Sequence, residues 1–167
     1  MKNLFKLFTI VCFFSLSSCG IYSLSNAEVG DAQTFQVEFF RNTASIIEPG
    51  IDRQFTNDLQ DLIQNQTNLG LTTSNGDLIY EGEITQYYIA PMTATSDSRA
   101  AQNRLTIAIN VRFTNTLDPE KDFERSFTFY YDYDANLQMV GSTLDTALEE
   151  IYTRITQDIF NASLTNW

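Results

Sequence analysis

Asn103-Arg104-Leu105-Thr106-Ile107-Ala108-Ile109-Asn110-Val111-Arg112-Phe113-Thr114 is the stretch that decides the fold. Leu105, Ile107, Ile109, Val111 and Phe113 alternate with Thr106, Ala108, Asn110, Arg112 and Thr114, the period of an extended chain with one buried side. The pattern predicts a strand whose apolar face must be covered by another layer. Downstream, Asn115 to Asp122 contains Asp118-Pro119 and turns the chain. Phe123, Phe127, Phe129, Tyr131 and Tyr133 then alternate on a further strand. Upstream, a polar stretch from Ala90 to Gln102 precedes the central strand. Leu69–Thr73 and Leu78–Ile89 flank Ser74-Asn75-Gly76-Asp77. Asn-Gly is a strong hairpin signal because both central residues tolerate positive φ, so two antiparallel strands are expected there.

Nearer the start, Thr34 to Phe40 alternates, with Phe35, Val37 and Phe39 on one side, and reads as a strand. Pro49-Gly50 breaks the chain. Ile51, Phe55, Leu59, Leu62 and Ile63 recur at helical spacing, predicting a helix over Asp52–Gln66. Gly141-Ser142 with Asp145 resembles a capping box, and Leu144, Leu148, Ile151, Ile155 and Ile159 continue as a closing helix. The order β-α-β-β-β-β-α predicts an α+β fold: a mixed or antiparallel sheet of four to five strands with two helices packed on one face. The uncovered face would carry Thr34, Gln36, Glu38, Glu81, Glu83, Thr85, Thr106, Asn110, Arg112, Glu124, Ser126, Thr128 and Tyr130. Plain solvation accounts for such a face, and so does docking against a hydrophilic partner, because polar groups exchange hydrogen bonds there without being stranded.

The first residues read differently. Lys2 and Lys6 flank an apolar run from Leu4 to Leu16, and Leu16-Ser17-Ser18-Cys19 ends it with small residues before a cysteine. This is the pattern of a lipoprotein signal peptide with its lipobox. The expected organisation is therefore a signal at 1–18, a lipidated tether at 19–32 and a folded domain at 33–167. Cys19 would carry a diacylglycerol on its thiol and a third acyl chain such as palmitate on its amine. Each buried methylene contributes about 0.8 kcal/mol, so three chains anchor where one is marginal. Beyond the signal no apolar stretch approaches a membrane span, leaving that lipid as the expected attachment.

Composition narrows the chemistry. The 167 residues include no histidine, which removes Ser/His and Cys/His nucleophile systems and the usual zinc sites. Catalysis is not expected. With Cys12 in the signal and Cys19 acylated, no disulfide is available. Residues 19–167 carry 8 basic and 21 acidic side chains, net −13, a poor surface for nucleic acid. Asp132 and Asp134 share one side of a strand but offer too few oxygen ligands for calcium, and no metal site is expected. Glu81 and Glu83 have the same spacing; cross-strand pairing with Arg104 or Arg112 is their expected role. Arg99, Arg104 and Arg112 concentrate basic charge on one loop and strand. They are the candidate contacts for a phosphorylated lipid or a partner, with ordinary salt bridges as the other reading.

Cys19-Gly20-Ile21-Tyr22-Ser23, Ser74-Asn75-Gly76-Asp77-Leu78, Tyr80-Glu81-Gly82-Glu83-Ile84, Asn103-Arg104-Leu105-Thr106-Ile107, Val111-Arg112-Phe113-Thr114-Asn115 and Asn166-Trp167 together resemble the LptE family of lipopolysaccharide-assembly lipoproteins, in a divergent branch. The resemblance implies a lipid-anchored, periplasm-facing subunit of the lipopolysaccharide translocon in the outer membrane. That subunit would plug an LptD-type β-barrel and assist its assembly, with no cofactor beyond the covalent lipid and with lipopolysaccharide as a candidate ligand; because residues 19–167 hold one lysine, Lys121, and seven arginines, the plug role is favoured over electrostatic carriage of the lipid. Gly20 stands where an inner-membrane retention aspartate would. A periplasm-facing binding module, or a pilot lipoprotein for another secretion pore, is the alternative.

Overall fold

The computed structural model describes residues 29–92 and 101–165; the expected signal peptide, Cys19 and Arg99 lie outside them. The elements are β1 (Thr34–Val37), β2 (Arg41–Asn42), α1 (Ile51–Gln66), β3 (Gly70–Leu71), β4 (Leu78–Met92), β5 (Gln102–Asn115), a 3-10 turn (Pro119–Lys121), β6 (Phe123–Asp134) and α2 (Ser142–Leu164). They form an α+β fold with a mixed six-stranded sheet in the order β3-β1-β4-β5-β6, with β2 also on β4. Two of the six are two-residue segments.

β4, β5 and β6 make an antiparallel meander, Leu78 opposite Asn115 and Phe113 opposite Phe123. β4 extends to Met92 and β5 begins at Gln102, so both strands run into the polar stretch that starts at Ala90. The alternation of β4 changes phase at a bulge between Ile84 and Gln86. Before it Leu78, Tyr80 and Ile84 are buried; after it Tyr87 is. The extra residue, Thr85, keeps the apolar side chains on one face of a strand that two-residue periodicity alone would turn over.

The expected Asn-Gly hairpin is not present. β1 lies between β3 and β4 and runs parallel to both, with Phe35 opposite Leu71 on one side and Leu78 on the other. Residues 72–77 therefore cross the start of β1. Asn75 alone in that crossing has positive φ, 54°. Gly76 serves proximity instead, since a Cβ there would lie 2.8 Å from Gln36 Cβ and 2.9 Å from its nitrogen. Asp77 closes the crossing: its Oδ2 accepts from the Gln33 and Thr34 amides at 3.0 Å and the Thr34 hydroxyl at 2.8 Å. Those bonds hold its carboxyl below the usual range.

β1 and β2 are two halves of a broken strand along one edge of β4. At the break the alternation fails. Phe40, not Phe39, turns inward; Phe39 is 51% exposed and Phe40 fully buried. The Phe40 amide donates to Thr56 Oγ1 on α1 (3.2 Å), fixing the inward turn. The capping box also fails, because Gly141 at φ 56° is the N-cap and Ser142 is already helical, with no side-chain cap.

Both helices cover the same face. Ile51, Phe55, Leu59 and Ile63 of α1 and Leu148, Ile151, Ile155 and Ile159 of α2 are buried against it. Phe40, Phe55 and Tyr152 form a T-shaped chain with centroids 5.1 and 5.2 Å apart, linking the broken strand to both helices. The buried hydroxyls have partners: Tyr152 donates to the Ile51 carbonyl (3.1 Å), and Tyr80 pairs with Ser163 (2.9 Å).

Asp58 of α1 is partly buried. Burial, then the charges of Asp61 and Glu149, push its carboxyl up to about 6. The folded state thus holds an extra proton between the unfolded value and about 6. That stabilisation is complete at low pH and disappears as pH rises through 6. Asp58→Asn should therefore stabilise the protein at pH 7.5, by about 1 kcal/mol once solvent screening is allowed for, and by clearly less at pH 4.5. Urea unfolding of both proteins at both pH values checks this. Equal effects at the two pH values would contradict it.

Candidate functional site

The face without helices is organised in cross-strand rows read from the register of β4, β5 and β6. From the Met92 end these are Ala90–Arg104–Asp132, Tyr88–Thr106–Tyr130, Gln86–Ala108–Thr128, Glu83–Asn110–Ser126 and Glu81–Arg112–Glu124. Most of the polar residues expected on this face are there. Gln86 and Ala108 belong to it too, and sequence periodicity missed Gln86 because the bulge at Thr85 is invisible without the partner strand. Thr106 and Ala108 are nearly inaccessible, at 7% and 2% exposure. Thr106 lies between Tyr88 and Tyr130, which are 44% and 43% exposed. The centre of the face is therefore a small aromatic-flanked platform, and Thr106 is not an outward contact as expected.

Charge sits at the two ends, neutral at the Arg104–Asp132 end and acidic at the other, where Glu81, Glu83 and Glu124 surround Arg112. Arg104 engages Asp132 through Nε–Oδ1 (2.6 Å) and Nη2–Oδ2 (2.8 Å), and its guanidinium carbon lies 3.5 Å from the Tyr130 ring centre. The pairing holds the Asp132 carboxyl below its ordinary range and raises the guanidinium further. At the other end Arg112 approaches Glu83 at 3.6 Å and Glu81 at 3.9 Å, while Asn110 donates to Glu124 Oε1 (2.8 Å).

The sequence-selected arginines accordingly do not gather. Arg104 and Arg112 are eight residues apart on β5, roughly 26 Å along a strand, and face separate carboxylates. Each has the salt-bridge role weighed for it: the Arg104 fork is closed by Asp132, while Arg112 makes looser ion pairs with Glu83 and Glu81. Glu81 and Glu83 pair with Arg112 as expected and lie on the open sheet, where no cleft encloses them for acid–base work. Asp132, near the end of β6, is the bidentate partner of Arg104. Among the described residues no group of three acidic, cysteine or histidine side chains is placed to hold a metal, and no helix is long and apolar enough to cross a membrane.

A family model described as LptE, lipopolysaccharide-assembly, matches residues 32–163, nearly the whole of the helix-and-sheet body described above. The chain belongs to the LptE family. No curated protein sequence matches it. Among solved structures, it is similar to protein XCC0632 from Xanthomonas campestris at 10% identity and TM-score 0.51, over 77% of this chain and 82% of that one. It is also similar to the PelC dodecamer from Paraburkholderia phytofirmans at 7% identity and TM-score 0.50, over 83% and 93%. The rare lipoprotein B from Shewanella oneidensis aligns at 8% identity and TM-score 0.46, over 76% and 89%. At these identities the first two show a shared fold. This LptE-family member thus has a polar sheet face on which both arginines of β5 stand against carboxylates of the neighbouring strands.

Proposed function

We propose that this protein is the lipid-anchored, non-catalytic subunit of a lipopolysaccharide translocon, held at the outer membrane by acylated Cys19 and seated within the lumen of an LptD-type β-barrel. The observation that carries the reading is the outer sheet face. Its arginines are matched by Asp132, Glu81 and Glu83 on neighbouring strands, and its middle rows are hydroxyl, amide and tyrosine. A surface of that kind enters a confined hydrophilic space without stranding its cations, because Arg104 keeps Asp132, Arg112 keeps Glu81 and Glu83, and the remaining carboxylate, hydroxyl and amide groups exchange water for wall hydrogen bonds. Barrel interiors of this class are polar. The barrel role is favoured over lipopolysaccharide phosphate as the main ligand, since Asp132 closes the Arg104 fork and Glu81 and Glu83 face Arg112.

Photocrosslinking tests this directly. A photoreactive residue at Gln86 or Glu81, both exposed on the outer face, should capture a large outer-membrane β-barrel in cells. Capture of a secretin, or of no barrel at all, would overturn the reading in favour of a pilot protein or a free binding module.

A further inference from the structure

Among the described residues β6 is the last strand of the sheet, and none of them forms a strand beside its outer edge. The Ala135 amide donates to the Ala101 carbonyl (3.0 Å), which fixes the ladder's phase: odd-numbered residues of β6 bond to β5. Glu124, Ser126, Thr128, Tyr130 and Asp132 consequently turn their N–H and C=O groups outward along the free edge. The usual protections of such an edge are lysine, proline, a bulge or shortness. β6 has twelve residues, no lysine, no proline and an unbroken register, and Ser126–Tyr131 is uncharged. Three separate open depressions of about 400, 570 and 490 Å³ lie along the seam between this edge and α2, lined in turn by Tyr131, Phe129 and Phe127.

The seam's charge is mostly acidic. Glu149, Glu150 and Asp158 of α2 and Asp134 of β6 border it. Its two arginines lie over aromatic rings, Arg154 at 5.3 Å from Phe129 and Arg125 at 5.7 and 5.8 Å from Phe123 and Phe127. A second copy of the chain fits poorly. Antiparallel self-pairing centred on Thr128 sets Glu124 opposite Asp132, and centring on Phe129 sets it opposite Asp134, like charges face to face.

We infer that the free edge of β6 and the acidic seam beside it receive an extended, basic segment of a partner protein by strand addition. Main-chain hydrogen bonds to the five outward-turned residues would supply the pairing. Alternate apolar side chains would enter the seam over Phe127, Phe129 and Tyr131, and flanking basic residues would meet Glu149, Glu150 and Asp158. The inference does not depend on which membrane protein surrounds the domain.

The test uses the full chain in detergent micelles and a fluorescent twelve-residue peptide of alternating valine and threonine with lysine at both ends. Binding should be saturable, weaken with salt, and slow amide exchange in β6. Thr128→Pro removes an outward N–H without touching the ladder to β5, and should weaken binding at least tenfold. Methylating alternate peptide nitrogens should do the same to the unaltered protein, a control that holds even if the proline variant misfolds. A glutamate-flanked peptide should bind at least tenfold more weakly. Equal binding of the N-methylated peptide, or exchange protection confined to elements other than β6, would overturn the inference.

Discussion

Gly82→Ala should destabilise the protein by about 3 kcal/mol or more, a loss of about 10 °C in midpoint for a domain of this size. Gly82 sits on the inner face of β4, beneath Phe40 and beside β5. A Cβ added there would fall 2.0 Å from the Asn110 carbonyl oxygen and 2.6 Å from Phe40 Cε1. The Phe40 ring can shift only by disturbing Phe55, against which it packs edge-on, and through it Tyr152. The carbonyl cannot retreat without opening the β4–β5 ladder, the longest pairing in the sheet. Denaturant unfolding of the single variant and of Gly82→Ala with Phe40→Leu separates the two contacts. Trimming the ring should fail to restore stability, because the shortest contact is with backbone. A loss below about 1 kcal/mol in the single variant would show that the strand has slack at this point.

Cys19→Ala should move the protein from the membrane fraction to the soluble periplasmic fraction while leaving its thermal unfolding unchanged. The expectation belongs to the proposed anchoring. Three acyl chains at about 0.8 kcal/mol per methylene hold a protein to a bilayer, whereas the described residues contain no helix able to cross one. Cys19 precedes the family-matched body at residues 32–163, so stability and location should separate. If the variant remains in the membrane fraction after carbonate washing, the lipid is not what holds it. The variant should also accumulate lipopolysaccharide on the periplasmic side, because an unanchored subunit reaches its barrel only by diffusion.

The rest of the molecule divides by the range of the forces that shape it. Strand β5, the two helices and the placement of both helices on one sheet face follow from local spacing, since a buried stripe repeats every second or every third to fourth residue whatever its neighbours are. The polar outer face follows from the same alternation, as does the pairing of Glu81 and Glu83 with an arginine across a strand. The family resemblance was likewise legible, carried by ordered short segments from Ser74 to Asn115 and by the lipobox.

Only tertiary structure decided the remainder. Asn75-Gly76 has the chemistry of a hairpin, but β1 occupies the space between β3 and β4, so those residues cross it instead. Phe39 and Phe40 are equally apolar, and the choice between them was made by a Thr56 hydroxyl sixteen residues away. The phase change at Thr85 and the pairing of Arg104 with Asp132 depend on the register of neighbouring strands. Periodicity reports which side of a chain is dry; which strand lies beside it is settled by long-range packing, and that is where the edge of β6 and the polar outer face acquire their meaning.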